Sequence, residues 1–214
     1  MIKATPLALL LLGLAAAPAF ADDNADILAA RKFAEPVLNG ECDFRTNDDG
    51  SPDGDNAVYP ITYRDKGQDQ DSPDNKRTLI RLACSAGAYN FNSIYVMRDD
   101  AAATWQMLSF AEPVADYDYT DESFSRLKAP PKVIGYTTSV WMTNSDYDPA
   151  TRTISAAAKW RGIGDAWSAG EWQFDKGAFL LRRYEIDPTY QSGDDTETAD
   201  PESYVLFDAT VAKP

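Results

Sequence analysis

The amino-acid sequence predicts a mostly-β protein of the α+β class, with an antiparallel β-domain of sandwich or meander type that follows one N-terminal helix. A single stretch near the N-terminus has apolar residues at clear helical spacing. After residue 41, short runs rich in β-branched and aromatic residues alternate with clusters of Gly, Pro, Asn and Asp. Such short runs, separated by turn residues, are typical of antiparallel β-domains.

The helix is predicted within residues 22–40, from Asn24 to Leu38. Its apolar side chains recur at the spacing that places them on one helix face. These residues are Ile27, Leu28, Ala30, Phe33, Ala34 and Leu38. Asn24 or Asp22 is a suitable N-cap, and Gly40 marks the end because glycine commonly follows the last helical residue.

Residues 41–214 are predicted to form the β-domain, which begins with an acidic stretch at 41–75. A short strand, Val58 to Tyr63, interrupts that stretch. The other predicted strands are 77–84, 89–98, 104–110, 133–142, 151–160, 170–174, 178–186 and 204–211. Residues 137–160 are predicted to form a hairpin with turns at 144–146 and 148–150, and the acidic tract 192–202 a solvated loop.

The first residues predict export. Lys3 precedes an apolar run, Leu7 to Leu14, that is too short to span a bilayer, and Ala19-Phe20-Ala21 has the small-x-small pattern of a cleavage site. This order is that of a secretory signal peptide, so we expect residues 1–21 to be removed. The sequence therefore predicts a periplasmic or secreted protein with no membrane span after cleavage.

The composition of the chain excludes several classes of ligand and of catalytic site. The formal net charge of −14 disfavours binding to nucleic acid phosphates. The chain contains no histidine, which excludes Ser-His-Asp and Cys-His catalysis and histidine-ligated metals, and no cofactor is expected. In an exported protein the two cysteines, Cys42 and Cys84, predict one disulfide rather than a redox or zinc site.

The most distinctive motif is KWRGIGDAWSAGEWQF, residues 159–174. A dinucleotide-binding loop needs a third glycine where Trp167 stands, and a Walker loop needs a Gly-Lys-Ser/Thr ending that is absent here. We interpret the motif as a corner between strands in which Gly162 and Gly164 adopt positive φ. Its candidate functional or structural residues are Arg161, Gly162, Gly164, Asp165, Glu171 and Trp172.

Two roles are open for this corner. In the structural role, Arg161 pairs with Asp165 or with Glu171, and the tryptophans at 160, 167 and 172 pack beneath the turn. In the catalytic role, the same carboxylates converge with Arg161 in a pocket. The structural role is our expectation, and no catalytic residue is assigned.

Further motifs precede the corner. LIRLACSAGAYNFNSIYV and TTSVWMTNSDYDPATRTISAAAK lie upstream, and GAFLL follows, so that the whole set spans about residues 79–187. Together they resemble the bacterial family called domain of unknown function 1176. The matching positions are Cys84, Gly87, Ala88, Tyr89, Asn90, Arg161, Gly162, Gly164, Asp165, Trp172, Phe179 and Leu181.

The resemblance makes Gly87, Tyr89 and Asn90 candidate motif residues and implies an exported bacterial protein. It brings no activity and no catalytic residue with it. The family usually has a cysteine directly after the Gly-Asp, where this chain has Ala166. The resemblance therefore implies that a second disulfide at the corner is missing.

Two acidic stretches are open to a functional interpretation. NDDGSPDGDN, residues 47–56, offers an irregular calcium site or a mobile loop, although Pro60 stands where a helix–loop–helix calcium site needs its bidentate glutamate. The candidate calcium ligands are Asp48, Asp49, Asp53 and Asp55. ADYDYTDE, residues 115–122, alternates acidic and aromatic residues, which is open to sugar binding or to an exposed loop or edge strand.

These observations predict a non-catalytic binding or structural domain of the bacterial envelope, whose partner is an unknown protein or glycan. Two alternatives remain. One is a carboxylate-based hydrolase that acts on an envelope glycan, and the other is a calcium-stabilised module.

Overall fold

The computed structural model describes residues 23–120, 122–190 and 203–210. The predicted signal peptide and the acidic tract 192–202 lie outside the described residues. The predicted N-terminal helix, α1, is present at Asp23–Leu38. It ends where Asn39 and Gly40 adopt left-handed φ angles of 47° and 85°, which glycine and asparagine tolerate best.

Twelve strands follow the helix in the described part of the chain. They are β1 (Ala57–Tyr63), β2 (Asn75–Ala86), β3 (Phe91–Asp99), β4 (Thr104–Met107), β5 (Phe110–Asp116), β6 (Lys132–Ser139), β7 (Met142–Thr143), β8 (Asp146–Asp148), β9 (Thr153–Lys159), β10 (Trp167–Asp175), β11 (Ala178–Asp187) and β12 (Tyr204–Asp208).

The strands form three antiparallel sheets. The first sheet has the order β1-β2-β3-β4, with β7 also paired to β3. The second sheet has the order β12-β11-β10-β9-β8, and β5 and β6 form a separate hairpin. The predicted fold class, mostly β with one N-terminal helix, is confirmed.

The first sheet is buried on both faces, because its alternating side chains enter two different cores. On β2, Leu79 points into the core between the two large sheets, whereas Ile80 and Leu82 point towards α1. The core between the sheets also contains Ile61, Tyr95, Met97, Leu108, Phe110, Met142, Tyr147, Ile154, Trp172 and Phe174. The result is three layers: helix, first sheet and second sheet.

The helix layer is fastened at its C-terminal end. The predicted disulfide between Cys42 and Cys84 is confirmed and joins the chain leaving α1 to the end of β2. Arg31 of α1 is buried and donates to the carbonyl oxygens of Arg45 at 2.6 Å and Asp53 at 2.9 Å. The acidic loop is therefore held against the helix and the first sheet.

The predicted hairpin over residues 137–160 is wrong. The strand β6 pairs with its predecessor β5, and only β8 pairs with β9, through the turn at 148–150. The predicted strand 104–110 is also divided, since β4 ends at Met107 and Phe110 begins β5 with its ring in the central core. Alternation of side chains fixes the face that a strand buries but not the strand with which it pairs.

Candidate functional site

The two strongest sequence motifs meet in space. The turn from Gly87 to Asn90 joins β2 to β3, and the corner from Arg161 to Asp165 joins β9 to β10. Asn90 donates from Nδ2 to the carbonyl oxygen of Lys159 at 2.8 Å and accepts at Oδ1 from the Lys159 N–H at 3.2 Å. This backbone-like pairing joins the first sheet to the second, and we call the contact between residues 87–90 and 159–165 the motif junction.

Asn144, in the turn before β8, completes this junction. Its Nδ2 donates to the carbonyl oxygen of Ala157 at 2.9 Å and to Asn90 Oδ1 at 3.1 Å, and its Oδ1 accepts from the Phe91 N–H at 2.9 Å. Asn144 has a φ of 45°, a left-handed value that asparagine tolerates better than most residues. Sequence reasoning treated this residue only as turn chemistry, because its partners lie far away in the chain.

The two glycines of the corner serve different purposes. Gly164 has a φ of +74°, as expected for a turn glycine. Gly162 is not among the residues with positive φ, so the expectation of a left-handed conformation there is wrong. A Cβ at Gly162 would lie 3.3 Å from the ring of Tyr89, so glycine permits the close approach of the two motifs. Ala166 is fully buried, and its carbonyl oxygen accepts from the Trp160 N–H at 2.9 Å.

The charged pair of the corner is Arg161 and Asp165. Arg161 Nε donates to Asp165 Oδ1 at 2.7 Å, and a second bond joins Nη2 to Oδ2. The hydrogen bond to Asp165 raises the pKa of the Arg161 guanidinium. The carboxylate of Asp165 is only 5% exposed, whereas the Arg161 side chain is 38% exposed and lies 4.6 Å from the ring centroid of Tyr190.

The other two candidate residues of the corner lie elsewhere. Trp172 is 2% exposed in the core between the sheets, where its Nε1 donates to the carbonyl oxygen of Ala111 at 2.9 Å. Glu171 is exposed in the middle of β10, opposite Arg183, and lines a groove with Glu185. The structure therefore places Glu171 apart from the salt bridge of Arg161 and Asp165.

The candidate calcium ligands engage separate partners. Asp49 accepts from the N–H and Oγ of Ser51 at 2.9 and 2.6 Å, and these hydrogen bonds lower its pKa. Asp55 forms a salt bridge with Arg81 at 2.8 Å, and Asp53 lies near Arg45 instead. Asp48 is exposed in the same loop. Within the described ranges, no three His, Cys, Asp or Glu side chains are grouped so that they could hold a metal ion.

A cleft of about 650 Å³ lies between the acidic loop and the ends of β2 and β3. Its main lining residues are Asp43, Arg45, Asp53, Asp55, Ser85, Phe91, Asn92, Asn144 and Ser145. Two of its carboxylates already face guanidinium groups, since Asp55 pairs with Arg81 and Asp53 with Arg45. We call this feature the disulfide cleft, because Cys84 contributes to its wall.

A continuous group of aromatic rings lies beside the corner. We call it the aromatic patch, and its members are Tyr117, Tyr119, Phe124, Trp160 and Tyr190. The ring centroids of Tyr117 and Trp160 are 6.0 Å apart, those of Tyr119 and Phe124 5.0 Å, and those of Phe124 and Tyr190 6.0 Å. Tyr117 is 37% exposed and Phe124 44% exposed, so the patch faces solvent.

The sequence indicated this patch only in part. The alternating motif at 115–122 contains Tyr117 and Tyr119, and the corner motif begins beside Trp160. Phe124 and Tyr190 belong to no sequence motif, and only the folding of the chain brings them next to the other rings of the patch. The Tyr190 N–H donates to the Phe124 carbonyl oxygen at 3.0 Å, which brings those two segments together.

A small cavity of about 40 Å³ lies between β5, β7 and the second sheet. Its polar lining includes Glu112 of β5, Tyr184 of β11, Ser168 of β10 and Thr143 of β7. Burial raises the pKa of the Glu112 carboxyl group above its ordinary value. Sequence reasoning missed Glu112, which is one acidic residue among many in an acidic chain.

Residues 53–206 of the chain match the family described as "Protein of unknown function (DUF1176)". The chain belongs to this family. The match extends beyond the segment 79–187 on which the resemblance rested, and it includes the motif junction, the aromatic patch and Glu112 of this DUF1176 protein. No curated protein and no solved structure matches the chain. The described residues also contain no helix that is long and apolar enough to cross a membrane.

Proposed function

We propose that this DUF1176 protein is exported to the bacterial envelope, as a periplasmic or secreted domain, and binds a glycan there on its aromatic patch without turning it over. Export is supported by the signal-peptide pattern of residues 1–21. The binding proposal depends on one observation: contiguous aromatic rings are exposed beside the salt bridge of Arg161 and Asp165.

The chemistry of the patch suits a sugar ring. Exposed aromatic faces offer apolar area against which the C–H face of a pyranose can pack, while a few polar groups at the edge fix its orientation. Arg161 is held over Tyr190 by its bonds to Asp165, so its guanidinium is ordered before a ligand arrives. An ordered donor loses less conformational entropy on binding.

The net charge of the chain limits the classes of glycan that we expect it to bind. A formal net charge of −14 repels strongly anionic polysaccharides, so the expected ligand is neutral or carries amines. Binding is favoured over hydrolysis, because Asp165 is engaged by Arg161 and Glu171 lines a different groove. The paired carboxylates that glycoside hydrolysis requires at about 5 to 9 Å are therefore not offered by these residues.

The test is calorimetric titration of the mature protein, from Asp22 onward, with neutral oligosaccharides of the chitin, cellulose and maltose types. We expect the wild type to bind one of them and Tyr117→Ala to weaken that binding by about tenfold, or about 1.4 kcal/mol. Tyr136→Ala is the matched control, because Tyr136 is 56% exposed on β6, where its ring contacts Phe207. Equal loss in both variants, or no binding by the wild type, would contradict the proposal.

A second candidate is a small ligand in the disulfide cleft, whose volume of about 650 Å³ falls within the usual range for ligand pockets. Phe91→Ala separates the two, since Phe91 lines this cleft and is 58% exposed. If Phe91→Ala abolishes binding and Tyr117→Ala does not, the ligand belongs to the cleft.

A further inference from the structure

The small cavity described above holds an unusual carboxylate. Glu112 is half-buried on β5, and among the residues that the structure describes it makes no hydrogen bond and no ion pair. A carboxylate that is partly removed from water and has no partner is less stable than a paired or fully solvated one. Burial alone accounts for the raised pKa of Glu112, which means that no neighbouring cation compensates it.

We propose that Glu112, with Tyr184 beside it, is the polar anchor of the glycan site and accepts a hydrogen bond from a hydroxyl group of the bound sugar. This inference rests on the proposed function, because it assigns the anchor to a ligand that stacks on the aromatic patch. A sugar hydroxyl supplies the donor that the protein itself does not.

The floor of the cavity consists of small side chains. Ala156 and Ala158 of β9 face Ser168 and Gly170 of β10, with Ala158 directly opposite Ser168 and Ala156 opposite Gly170. These residues leave about 40 Å³ of space, which is room for a water molecule or for the hydroxyl group of a ligand. A whole sugar does not fit there, so the cavity is suited to one functional group of a ligand that lies outside it.

The cavity and the aromatic patch are neighbours. Side chains alternate along a strand, so Trp160 follows Ala158 on the same face of the second sheet, and the pairing of the Trp160 N–H with Ala166 continues the ladder. Trp160 contacts Tyr117 across 6.0 Å between ring centroids. A sugar stacked on these two rings therefore lies at the same end of the sheet as the cavity.

Tyr184 links the two features electrostatically. Burial, the negative charge of Glu112 and the neighbouring Tyr117 together raise the pKa of its hydroxyl group to about 12. Tyr184 is therefore a neutral hydroxyl group at neutral pH that is hydrogen-bonded to Ser168, and it can form a second hydrogen bond with a ligand. Glu112 and Tyr184 are the titratable groups among the described residues that line this cavity, so no cation faces the carboxylate.

The test uses the oligosaccharide that binds the wild type, and compares Glu112→Gln with Tyr117→Ala by titration calorimetry. We expect Glu112→Gln to remain folded and to bind about tenfold more weakly. The matched control is Glu171→Gln, which removes a carboxylate from an exposed position on β10 and is expected to change the affinity less than twofold. Tyr184→Phe provides a second variant of the anchor and is expected to weaken binding severalfold.

A series of monodeoxy oligosaccharides identifies the donor. One deoxy position is expected to weaken binding to the wild type about tenfold and to have little further effect on Glu112→Gln. If Glu112→Gln and Tyr184→Phe bind as tightly as the wild type while Tyr117→Ala does not, the proposed role of Glu112 is refuted. Glycan binding on the aromatic patch is then still supported. If the wild type binds none of the oligosaccharides, both proposals fail. Release of shorter sugars by the wild type that is lost in Glu112→Gln would make Glu112 a catalytic acid and refute the anchor.

Discussion

Replacement of Asn144 by alanine tests whether the motif junction is a structural fastening rather than a binding site. The three shortest hydrogen bonds of the Asn144 side chain, two at 2.9 Å and one at 3.1 Å, join it to two separate segments, residues 90–91 and Ala157. A net contribution near the lower limit is appropriate for an exposed side chain, about 0.5 kcal/mol for each bond. Loss of all three therefore costs about 1.5 kcal/mol.

Alanine also carries a backbone penalty at this position, because Asn144 has a left-handed φ of 45°. That penalty is about 1 kcal/mol, which brings the expected loss to about 2.5 kcal/mol. Asn39→Ala is the matched control, since Asn39 has a φ of 47° and its side chain makes no hydrogen bond within the described ranges. The control is expected to lose only the backbone part, about 1 kcal/mol.

The assay is urea unfolding of both variants, supported by thermal melting. For a domain of this size each 1 kcal/mol shifts Tm by about 2 to 4 °C, so Asn144→Ala is expected to melt roughly 5 to 10 °C below the wild type. If Asn144→Ala is no less stable than Asn39→Ala, the hydrogen bonds of the junction do not stabilise the fold. A structural explanation of the Gly87–Asn90 and Arg161–Asp165 motifs would then be wrong.

Three further predictions concern stability. Replacing both cysteines by alanine opens a loop with a sequence separation of 42 and is expected to cost about 4 kcal/mol, measured by urea unfolding; a loss below about 1 kcal/mol would contradict a constraining disulfide. Gly170→Ala would place a Cβ 2.3 Å from the buried ring of Trp172, so it is expected to lower the free energy of unfolding by about 1 to 3 kcal/mol. The control is Gly135→Ala, whose Cβ would have nothing within 4 Å and which is expected to be nearly neutral. Because burial raises the pKa of Glu112 above its ordinary value of 4.5, ionisation of Glu112 destabilises the fold as pH rises from that value through the raised one. Glu112→Gln is therefore expected to gain stability relative to the wild type as pH rises through this interval. A pH-independent difference would refute that explanation.

The fold class was predictable because the spacing of apolar residues along a helix or a strand is a local property of the sequence. The helical spacing before Gly40 and the short β-branched runs after it predicted one helix and an antiparallel β-domain, which the structure confirms. The even number of cysteines predicted the bond between Cys42 and Cys84. Each of these inferences depends on residue spacing or on the predicted export and needs no knowledge of which strands are neighbours.

Strand pairing was less predictable. The segment 132–139 has a clear strand pattern, but nothing in it distinguishes pairing with β5 from pairing with β9. The choice depends on long-range packing, such as the placement of Phe110 between Tyr95 and Trp172 with ring centroids 5.9 and 5.7 Å apart. Such contacts join residues that are far apart in the chain.

In the candidate site, too, local features were predictable from the sequence, whereas long-range contacts were not. Arg161 and Asp165 are four residues apart, and their pairing was one of two that the sequence allowed. The convergence of Tyr117, Trp160 and Tyr190 on that pair depends on three separate segments and was not predicted as a unit. An isolated carboxylate such as Glu112 is recognisable only when its surroundings are known.

The most direct test of glycan binding on the aromatic patch is a two-dimensional amide NMR titration of the mature protein with a neutral oligosaccharide. Stacking of a sugar on the patch predicts that the largest shift changes fall on Tyr117, Tyr119 and the indole N–H of Trp160. Changes confined to Phe91 and Asn92 in the disulfide cleft, or no changes at saturating oligosaccharide, would contradict it.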